Sequence, residues 1–256
     1  MEALILAGGK AERLGDAAQG LPKSLVRVCG RPLAAYQVAW LAEAGVARVI
    51  VACAQGTESQ FEHDLGGLGP EIVAVGEREP LGRGGGLRFA AAHRQETGPV
   101  YALNGDELLG IDLRELLDHH KARGCAATLV LSQVHSPFGV VEITSDDRIV
   151  GFHEAPLLSD WVNSGAYVLD DECIERLPER GDHEDSTFPD LAHEGKLCGY
   201  RNPGFWITVN TPKQLRVANE FMAEHPELVP VPAGGVGSTE PPPRAEVAAL
   251  PPLERE

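Results

Sequence analysis

Three basic side chains lie close to a pair of glycines near the start of the chain: Lys10, Arg13 and Lys23. The glycines, Gly8 and Gly9, follow a short apolar run, and their lack of a Cβ lets backbone N–H groups approach a ligand closely. Exposed N–H groups beside fixed cations are typical of a site that binds several phosphate groups. An ordinary turn between a strand and a loop, with solvated basic residues, is the alternative that these residues alone leave open.

A carboxylate, Asp106, follows the fourth strand that the sequence predicts, over residues 100–103. Ligands of open α/β sheets collect at the carboxyl ends of the strands, so we expect Asp106 to lie near the basic loop. Its oxygens suit Mg²⁺, which prefers oxygen ligands. Asp112, with Glu115 three residues later, is the better N-cap for the following helix and leaves Asp106 for a ligand. The neighbouring Glu107 is expected to point into solvent.

A second glycine-rich segment occupies residues 82–86 and precedes a helical pattern that begins at Leu87. Four glycines in five positions disfavour a helix interior, so we expect a loop that opens into the helix. The N–H groups at the start of such a helix favour an anion or a closely packed ligand. A flexible surface loop explains the composition equally well.

Strand and helix patterns alternate along the first half of the chain and would position these residues. Apolar runs predict strands at residues 3–7, 46–54, 71–75 and 100–103, and helical periodicity predicts helices at 33–44, 57–65, 87–93 and 113–123. This alternation implies parallel strands joined by right-handed helical crossovers.

The second half of the chain adds shorter elements. Strands are predicted at 127–133, 166–169, 197–200 and 206–209, a hairpin at 140–144 and 149–153, and helices at 171–177 and 212–224, the last capped by Thr211. Residues 180–194 are polar and predict a loop with one helical turn near 189–193. We therefore predict an α/β fold with a Rossmann-like, mostly parallel sheet flanked by helices and a small β insertion. One domain would span residues 1–228, and residues 229–256, rich in proline, glycine and alanine, predict a disordered tail.

The composition argues against several classes of protein. A formal net charge of −16 over 256 residues disfavours a nucleic-acid-binding protein, whose footprint would be basic. The five cysteines are widely spaced and form no CxxC pair, so neither zinc nor a redox dithiol is indicated, and we expect free thiols in a reducing cytosol. The sequence shows no secretory signal and no run near the roughly 18 apolar residues that cross a bilayer. We therefore expect a cytoplasmic protein with neither nucleic acid nor membrane as a partner.

Several groups of residues, taken in order, resemble the motifs of the sugar-1-phosphate nucleotidyltransferases, also called NDP-sugar pyrophosphorylases. They are Leu6-Ala7-Gly8-Gly9 with Arg13-Leu14, Pro22-Lys23-Ser24-Leu25, Gly30-Arg31-Pro32-Leu33, Glu79-Pro80-Leu81-Gly82 with Gly85, Leu103-Asn104-Gly105-Asp106, Gly151-Phe152-His153-Glu154, Asn163-Ser164-Gly165-Ala166-Tyr167 and Trp206-Ile207. The resemblance covers residues 2–222. It is strongest to the short single-domain branch that includes mannose-1-phosphate and heptose-1-phosphate guanylyltransferases.

The resemblance implies a nucleotide-diphospho-sugar transferase fold, an NTP and a sugar 1-phosphate as substrates and Mg²⁺ as cofactor, and it allows a homo-oligomer. It assigns catalytic roles to Arg13, Lys23 and Asp106, nucleotide binding to Leu6, Ala7, Gly8, Gly9, Glu79, Gly82, Gly85, Asn104 and Gly105, sugar binding to Glu154, Asn163 and Gly165, and metal binding to Asp106 and Asn210. Arg13 would hold the β- and γ-phosphates, and Lys23 would hold the α-phosphate and the incoming phosphate.

The sequence departs from the family pattern at three places. Lys10-Ala11-Glu12 stands where the family usually has a more flexible glycine-containing segment. Ala155 replaces a lysine that contacts phosphate, and Thr208 replaces the second metal carboxylate, for which Asn210 offers a neutral oxygen. These departures leave two alternatives open. One is a non-catalytic nucleotide-sugar-binding or regulatory homologue, and the other is a nucleotidyltransferase that acts on a non-sugar phosphate.

The side chain of Glu79 bears on the choice of base. Guanine presents two adjacent donors, N1–H and the 2-amino group, which one carboxylate can accept together. Uracil and thymine present one N–H between two carbonyl oxygens, which a carboxylate would repel. We therefore favour GTP and leave UTP and dTTP open, with a solvated Glu79 before Pro80 as the alternative.

Overall fold

A seven-stranded sheet runs through the computed structural model, which describes residues 1–228. Seven of the thirteen described strands form this sheet, and the other six form three two-stranded sheets. In chain order the strands are β1 (Glu2–Leu6), β2 (Arg27–Val28), β3 (Arg31–Pro32), β4 (Arg48–Ala54), β5 (Glu71–Glu77), β6 (Val100–Asn104), β7 (Glu107–Leu109), β8 (Ala127–His135), β9 (Val140–Ile143), β10 (Ile149–His153), β11 (Leu157–Leu169), β12 (Leu197–Arg201) and β13 (Trp206–Thr208). The helices are α1 (Leu33–Glu43), α2 (Glu58–Leu65), α3 (Gly82–Ala91), α4 (Leu113–Arg123), α5 (Asp171–Glu175), α6 (Thr187–His193) and α7 (Pro212–Glu224). Short 3₁₀ segments lie at Glu12–Ala18, Lys23–Leu25 and Pro226–Leu228.

The strands of the large sheet lie in the order β12-β8-β11-β6-β1-β4-β5. β11 runs antiparallel to β6 and β8, and the other neighbouring strands run parallel. The predicted α/β fold with a mostly parallel sheet is therefore confirmed. The register pairs Leu6 at the end of β1 with Asn104 at the end of β6, so the loops after these two strands leave the sheet side by side.

Helices cover both faces of this sheet and build a hydrophobic core on each. The helices α1, α2 and α4 contribute Val38, Phe61 and Leu116 to one core. The helices α3 and α6 contribute Leu87 and Phe188 to the other. Because both faces are covered, β1 and β4 consist of nearly unbroken apolar runs. A third cluster packs α7 beside the loop after β1 and includes Leu14, Tyr36, Leu108, Phe221 and Met222.

The helix α3 begins within the glycine-rich segment, so the prediction that residues 82–86 form a loop is wrong. A Cβ on Gly84 would lie 2.7 Å from Pro178 Cγ, and one on Gly85 would lie 2.7 Å from Glu179 O. The N–H groups of both glycines donate to one carbonyl of that neighbouring segment, at 2.9 and 3.1 Å. Close packing that only glycine permits therefore outweighs the low helix propensity of glycine here.

Two later elements are longer than the sequence predicts. The strand β11 spans Leu157–Leu169, and α6 spans Thr187–His193 rather than a single turn. Phe188 and Leu191 of α6 are buried, and the ring of Phe188 packs edge-on against Tyr167 with 5.3 Å between the centroids. This contact between distant segments stabilises a helix that the polar local sequence does not indicate.

The structure joins Cys125 and Cys198 by a disulfide, so the prediction of free thiols is wrong for this pair. The strand β12 pairs in parallel with β8 and brings Cys198 beside the residues that precede β8, with 6.0 Å between the two Cα atoms. The two residues lie 73 positions apart and therefore form no local motif. Within residues 1–228 the other cysteines, Cys29, Cys53 and Cys173, are free thiols as predicted.

The predicted hairpin is confirmed as a separate two-stranded sheet of β9 and β10. Cross-strand pairing sets Ile143 opposite Ile149 and Val141 opposite Phe152, and Val141 and Ile143 share a face because they alternate along β9. An irregularity in β10 between Ile149 and Gly151 keeps Ile149 and Phe152 on that same face although they are three positions apart. These four side chains are between 41% and 64% exposed. The small sheet therefore presents an apolar face to solvent, which is called the hairpin face below.

No helix among the described residues has the length and apolar character that crossing a bilayer requires. The predicted tail at residues 229–256 lies outside the described residues. The cytoplasmic location and the exclusion of nucleic acid stay predictions from the sequence.

Candidate active site

Four predicted site residues, Arg13, Lys23, Asp106 and Asn210, meet beside the ends of β1 and β6 and are called the lysine cluster below. Lys23 Nζ forms an ion pair with Asp106 Oδ2 and donates to Asn210 Oδ1 at 2.5 Å. Arg13 Nη2 donates to the same Asn210 oxygen at 2.8 Å. The side chains of Lys23 and Asp106 are 12% and 24% exposed, so the pair lies partly out of water, where charges interact more strongly.

Backbone contacts between β1 and β6 hold this cluster together. Gly105 N donates to Leu6 O at 2.8 Å. A Cβ on Gly105 would lie 2.4 Å from Ser24 Oγ, so only glycine lets the segment that carries Lys23 pack this closely over the end of β6. Lys23 N also donates to Gly9 O at 3.4 Å, which connects the lysine segment to the glycine loop.

The start of α7 positions Asn210. Thr211 caps this helix by accepting from Gln214 N at 3.3 Å, as the sequence predicts, and Gln214 Oε1 in turn accepts the Asn210 N–H at 2.9 Å. Val209 N donates to Asp106 O at 3.0 Å. These contacts set Asn210 beside the loop after β6, so the two predicted metal ligands, Asp106 and Asn210, come from elements far apart in sequence.

The oxygens of Asp106 and Asn210 fit a magnesium ion. The Lys23 ammonium lies between them, so this pair of oxygens already accommodates a cation. Mg²⁺ is commonly held by one or two carboxylates together with substrate phosphates rather than by a full cage of protein ligands. Within residues 1–228 no group of three or more His, Cys, Asp or Glu side chains could hold a metal ion. We therefore expect the substrate to supply further ligands.

The remaining predicted residues of the first loop lie where β1 ends. Ala7 is buried and its N–H donates to a carbonyl of β4 at 2.7 Å, whereas Gly8 and Gly9 are exposed. The side chain of Lys10 is 77% exposed. Of the loop's two cations, Arg13 therefore reaches the lysine cluster, whereas Lys10 points into solvent.

Glu77, at the end of β5, lies beside both glycine-rich segments and is not among the site residues that the sequence predicts. Its Oε2 lies 3.6 Å from the position that a Cβ on Gly8 would take, and its Oε1 lies 2.7 Å from the same position on Gly86. Burial raises the pKa of Glu77, and the Leu81 N–H that donates to it at 3.2 Å opposes this shift. The predicted strand ends at Val75, whereas β5 continues to Glu77. Because alternate residues of a strand share a face, Glu77 lies on the same face of β5 as Val75.

The predicted base-reading residues Glu79, Gly82 and Gly85 contact a different segment. Glu79 pairs with Arg180 at 2.7 Å, and its side chain is 71% exposed. Cβ atoms on Gly82 and Gly85 would each lie 2.7 Å from backbone atoms of residues 179–181. Close packing against residues 179–181 therefore explains why positions 82 and 85 are glycines. The nucleotide-binding roles of Glu79, Gly82 and Gly85 stay predictions.

Two of the three predicted sugar-binding residues, Gly165 and Asn163, lie near Asn104 at the end of β6. Gly165 has a φ of +74°, and a Cβ there would lie 2.6 Å from Asn104 Nδ2. Asn163 Oδ1 accepts from Gly165 N at 3.1 Å. Asn104 Oδ1 is buried and has no hydrogen-bond partner among the described residues. Glu154 lies after β10, and its Oε2 would lie 3.0 Å from a Cβ on Gly139.

The prediction that Glu107 points into solvent is wrong. The residue is 8% exposed, and Trp206 Nε1 donates to Glu107 Oε2 at 2.7 Å. The strands β7 and β13 form a two-stranded sheet in which Glu107 lies opposite Thr208. Burial and, second, the neighbouring Asp106 raise the pKa of Glu107 well above its ordinary value. The covering strand β13 lies about a hundred residues away, so no local pattern indicates this burial.

Known proteins resemble the chain in sequence. Residues 2–225 match the family model described as nucleotidyl transferase. A mannose-1-phosphate guanylyltransferase catalytic subunit beta from Xenopus tropicalis is 32% identical over 96% of this chain and 73% of the relative. A mannose-1-phosphate guanylyltransferase from Mycobacterium tuberculosis is 34% identical over 84% of this chain and 62% of the relative. The chain therefore spans only part of the length of each relative.

A solved structure also resembles the chain. HddC from Yersinia pseudotuberculosis superposes with a TM-score of 0.68 at 22% identity, over 86% of this chain and 99% of that one. This likeness confirms the predicted fold.

Proposed function

This chain belongs to the nucleotidyl transferase family, and we propose that it transfers a nucleotidyl group from an NTP to a sugar 1-phosphate. The products would be an NDP-sugar and pyrophosphate. The meeting of Arg13, Lys23 and Asp106 beside the ends of β1 and β6 is the observation that carries the proposal. Both curated relatives are named as mannose-1-phosphate guanylyltransferases, which supports a sugar phosphate as the acceptor.

The proposed reaction is a displacement at phosphorus. An oxygen of the sugar phosphate forms a bond to the α-phosphorus of the NTP, and the bond from that phosphorus to the bridging oxygen of the leaving pyrophosphate breaks. A phosphate monoester has a second pKa of about 6 and is mostly dianionic at neutral pH, so it needs no general base. The barrier lies in bringing anions together and in stabilising the departing pyrophosphate.

The lysine cluster supplies the positive charge that this reaction needs. We assign Lys23 to the α-phosphate and the incoming phosphate, and Arg13 to the β- and γ-phosphates. An arginine has five N–H donors, so the contact of Arg13 with Asn210 leaves donors for phosphate oxygens. Asp106 and Asn210 would hold Mg²⁺, which when bound neutralises charge on the phosphates and orients them.

Guanine is the base that we propose, and we propose Glu77, in place of the predicted Glu79, as the carboxylate that binds it. The Glu77 side chain lies between Gly8 and Gly86, whereas Glu79 pairs with Arg180. A carboxylate can accept from both N1–H and the 2-amino group of guanine, and it repels the carbonyl oxygens of uracil and thymine. GTP is therefore the proposed NTP, and UTP and dTTP are its competitors in the test.

Pyrophosphate release with Mg²⁺ tests this function across the common NTPs and a panel of sugar 1-phosphates. Release that requires both substrates and is fastest with GTP is the expected result. Binding of GTP or a GDP-sugar without release would instead support a nucleotide-sugar-binding or regulatory homologue, which Ala155 and Thr208 favour. Release with a non-sugar phosphate alone would overturn the sugar assignment and keep the nucleotidyl transfer.

We also propose that the chain self-associates through the hairpin face, formed by Val141, Ile143, Ile149 and Phe152. A two-stranded sheet is marginally stable alone, so an apolar partner surface would stabilise it. A second copy is the occupant that we propose, because the family resemblance allows a homo-oligomer. The net charge of −16 on each copy opposes association, and a contact surface without charged side chains adds least to this repulsion.

A further inference from the structure

One side chain of α1 bridges the two ends of the turn that carries Asp106. Gln37 Nε2 donates to Asn104 O at 2.7 Å and to Glu107 O at 2.8 Å. Asn104 ends β6 and Glu107 begins β7, so the two hydrogen bonds enclose the turn residues Gly105 and Asp106. The Gln37 amide group therefore sets the separation of the two ends of the turn from which the Asp106 carboxylate projects.

The orientation of the Gln37 amide follows from its two partners. A backbone carbonyl only accepts hydrogen bonds, and in a glutamine amide only the NH₂ group donates them. This group has two N–H donors, one for each of the two carbonyls. The opposite orientation would set Oε1 against two carbonyl oxygens and would form no hydrogen bond with either.

The helix α1 holds Gln37 firmly on the other side of these bonds. Gln37 is 1% exposed, and all of the residues 33–39 of the helix are buried. The next residue, Val38, lies in the same hydrophobic core as Leu103 of β6. Burial of an amide costs free energy unless the amide is hydrogen-bonded, whereas an apolar side chain of similar length would fill the space without that cost. Packing alone therefore does not explain a glutamine at this position.

Other contacts hold single residues of the turn. Gly105 N donates to Leu6 O at 2.8 Å, and Asp106 O accepts from Val209 N at 3.0 Å. Each of these bonds connects one turn residue to a neighbouring segment. The bonds of Gln37 differ because they connect the two ends of the turn to each other through one rigid amide plane.

We propose that Gln37 is a positioning residue, which holds this turn in the conformation that places the Asp106 carboxylate beside Lys23 and the proposed metal. Its kinetic role rests on the proposed function. Without the two donors, the ends of the turn are free to separate, and the Asp106 carboxylate moves away from the phosphates. A displacement of about 1 Å at a positioned group can lower a rate by about 10².

Gln37→Met removes both donors and keeps the length of the side chain. We expect kcat to fall about tenfold or more, while KM for GTP changes less than about twofold because Lys23 and Arg13 still bind the phosphates.

Tyr36→Phe is the matched control for this variant. Tyr36 is the preceding residue of α1, is also fully buried, and also donates to a backbone carbonyl, Val28 O, at 2.8 Å. Its loss removes a buried hydrogen bond of the same kind far from the Asp106 turn, so we expect wild-type kcat. Equal losses of kcat in Gln37→Met and Tyr36→Phe would assign the effect to stability and overturn the proposal.

An Asp106→Asn background separates positioning of the carboxylate from a merely structural role. If Gln37 acts through Asp106, Gln37→Met should change kcat by less than about twofold once the carboxylate is absent. A tenfold loss in both backgrounds would contradict the proposal. Gln37→Glu keeps the side-chain length and, as the neutral acid, one donor, so it repeats the comparison with an expected loss of about threefold if Gln37→Met does not fold.

Amide hydrogen exchange tests the turn without turnover. The Gly105 N–H reports on the turn, and the Ala7 N–H, which donates to a carbonyl of β4 at 2.7 Å, reports on the sheet beside it. In Gln37→Met we expect exchange to accelerate about tenfold more at Gly105 than at Ala7. In Tyr36→Phe, Gly105 should gain no more than Ala7.

The outcomes of the exchange experiment are distinct from those of the activity assay. Equal acceleration at both amides in Gln37→Met would show a general loss of stability and would refute the positioning role. If exchange changes as expected and no NTP yields pyrophosphate, the proposed function fails while Gln37 still holds the turn.

Discussion

The Nζ of Lys23 forms an ion pair with Oδ2 of Asp106, although 83 residues separate the two along the chain. The hydrogen bond from Gly105 N to Leu6 O holds the ends of β6 and β1 together and so makes this contact geometrically accessible. Both charges are partly buried, so removal of either leaves the other without its counter-ion at the proposed phosphate site.

Asp106→Asn is expected to reduce pyrophosphate release by about 10²–10³, because it removes the charged ligand proposed for Mg²⁺. The carboxamide keeps the shape of the side chain, so we expect the Tm to shift by less than about 5 °C. Lys23→Ala should lower turnover by a similar factor. Asp118→Asn, on the exposed face of α4, is the control and should keep wild-type turnover. Near-wild-type turnover in Asp106→Asn would refute the assignment.

Glu77→Gln is expected to reduce the preference for GTP over UTP by about tenfold or more, since a carboxamide offers one acceptor oxygen where guanine presents two donors. The measurement is the ratio of kcat/KM for the two nucleotides. Glu79→Gln is the matched control, because that side chain is exposed and paired with Arg180. The opposite result, with selectivity lost only in Glu79→Gln, would return base recognition to Glu79.

The predictable part of the fold depends on local signals. Asp112 accepts from Arg114 N and Glu115 N as an N-cap, as the sequence predicts. The glycine-rich start of α3 was not predictable, because those glycines are fixed by contacts with a segment about a hundred residues away. Local propensity describes only the cost of glycine in a helix, whereas the compensating packing is tertiary.

The candidate site likewise contains residues whose positions follow from the sequence and residues whose positions depend on tertiary contacts. Asp106 could be placed near Lys23 from the rule that parallel strands share a carboxyl edge, and their ion pair agrees with that prediction. Glu107 and Glu77 could not be placed, because one is covered by β13 and the other depends on where β5 ends. Where a strand ends, and which element packs over it, depends on residues that are close in space but distant in sequence.

The hairpin face gives a prediction about assembly. We expect light scattering after size-exclusion chromatography to report a dimer for the wild-type chain and a monomer for Ile143→Lys, which places a charge on that face. Glu142→Lys is the control, because Glu142 alternates to the opposite face and should leave the dimer intact. A wild-type monomer at high micromolar concentration would exclude this interface.

Gly165→Ala is expected to raise KM for the sugar phosphate and to destabilise the fold by about 1–3 kcal/mol. Its positive φ strains any side chain, and the added Cβ would meet Asn104 Nδ2 at 2.6 Å. Gly195→Ala is the matched control, with a φ of +72° and nothing within 4 Å of the added Cβ. Both variants should lower the Tm, but only Gly165→Ala should change KM. An unchanged KM would separate Gly165 from the sugar site.

Glu2 is expected to make the stability of the protein depend on acid pH. Its side chain is 3% exposed and accepts from Gln95 N, Glu96 N and Arg48 Nη1, each at 3.0 Å. Burial raises the pKa of Glu2, but these hydrogen bonds outweigh burial, and the net shift is downward. The unfolded chain therefore binds more protons, so this contribution is present above the unfolded pKa of about 4.3 and is lost as the pH falls through the folded pKa.

Glu2→Gln should accordingly lower the free energy of unfolding by about 2 kcal/mol at neutral pH and by less at acid pH. Urea unfolding of both proteins from about pH 7 to about pH 4 measures this difference. Glu71→Gln is the control, because Glu71 also contacts Arg48, at 3.3 Å, but its side chain is 64% exposed, so its loss should cost little at any pH. A difference for Glu2→Gln that stays constant as the pH falls would show that the ionised form of Glu2 contributes nothing.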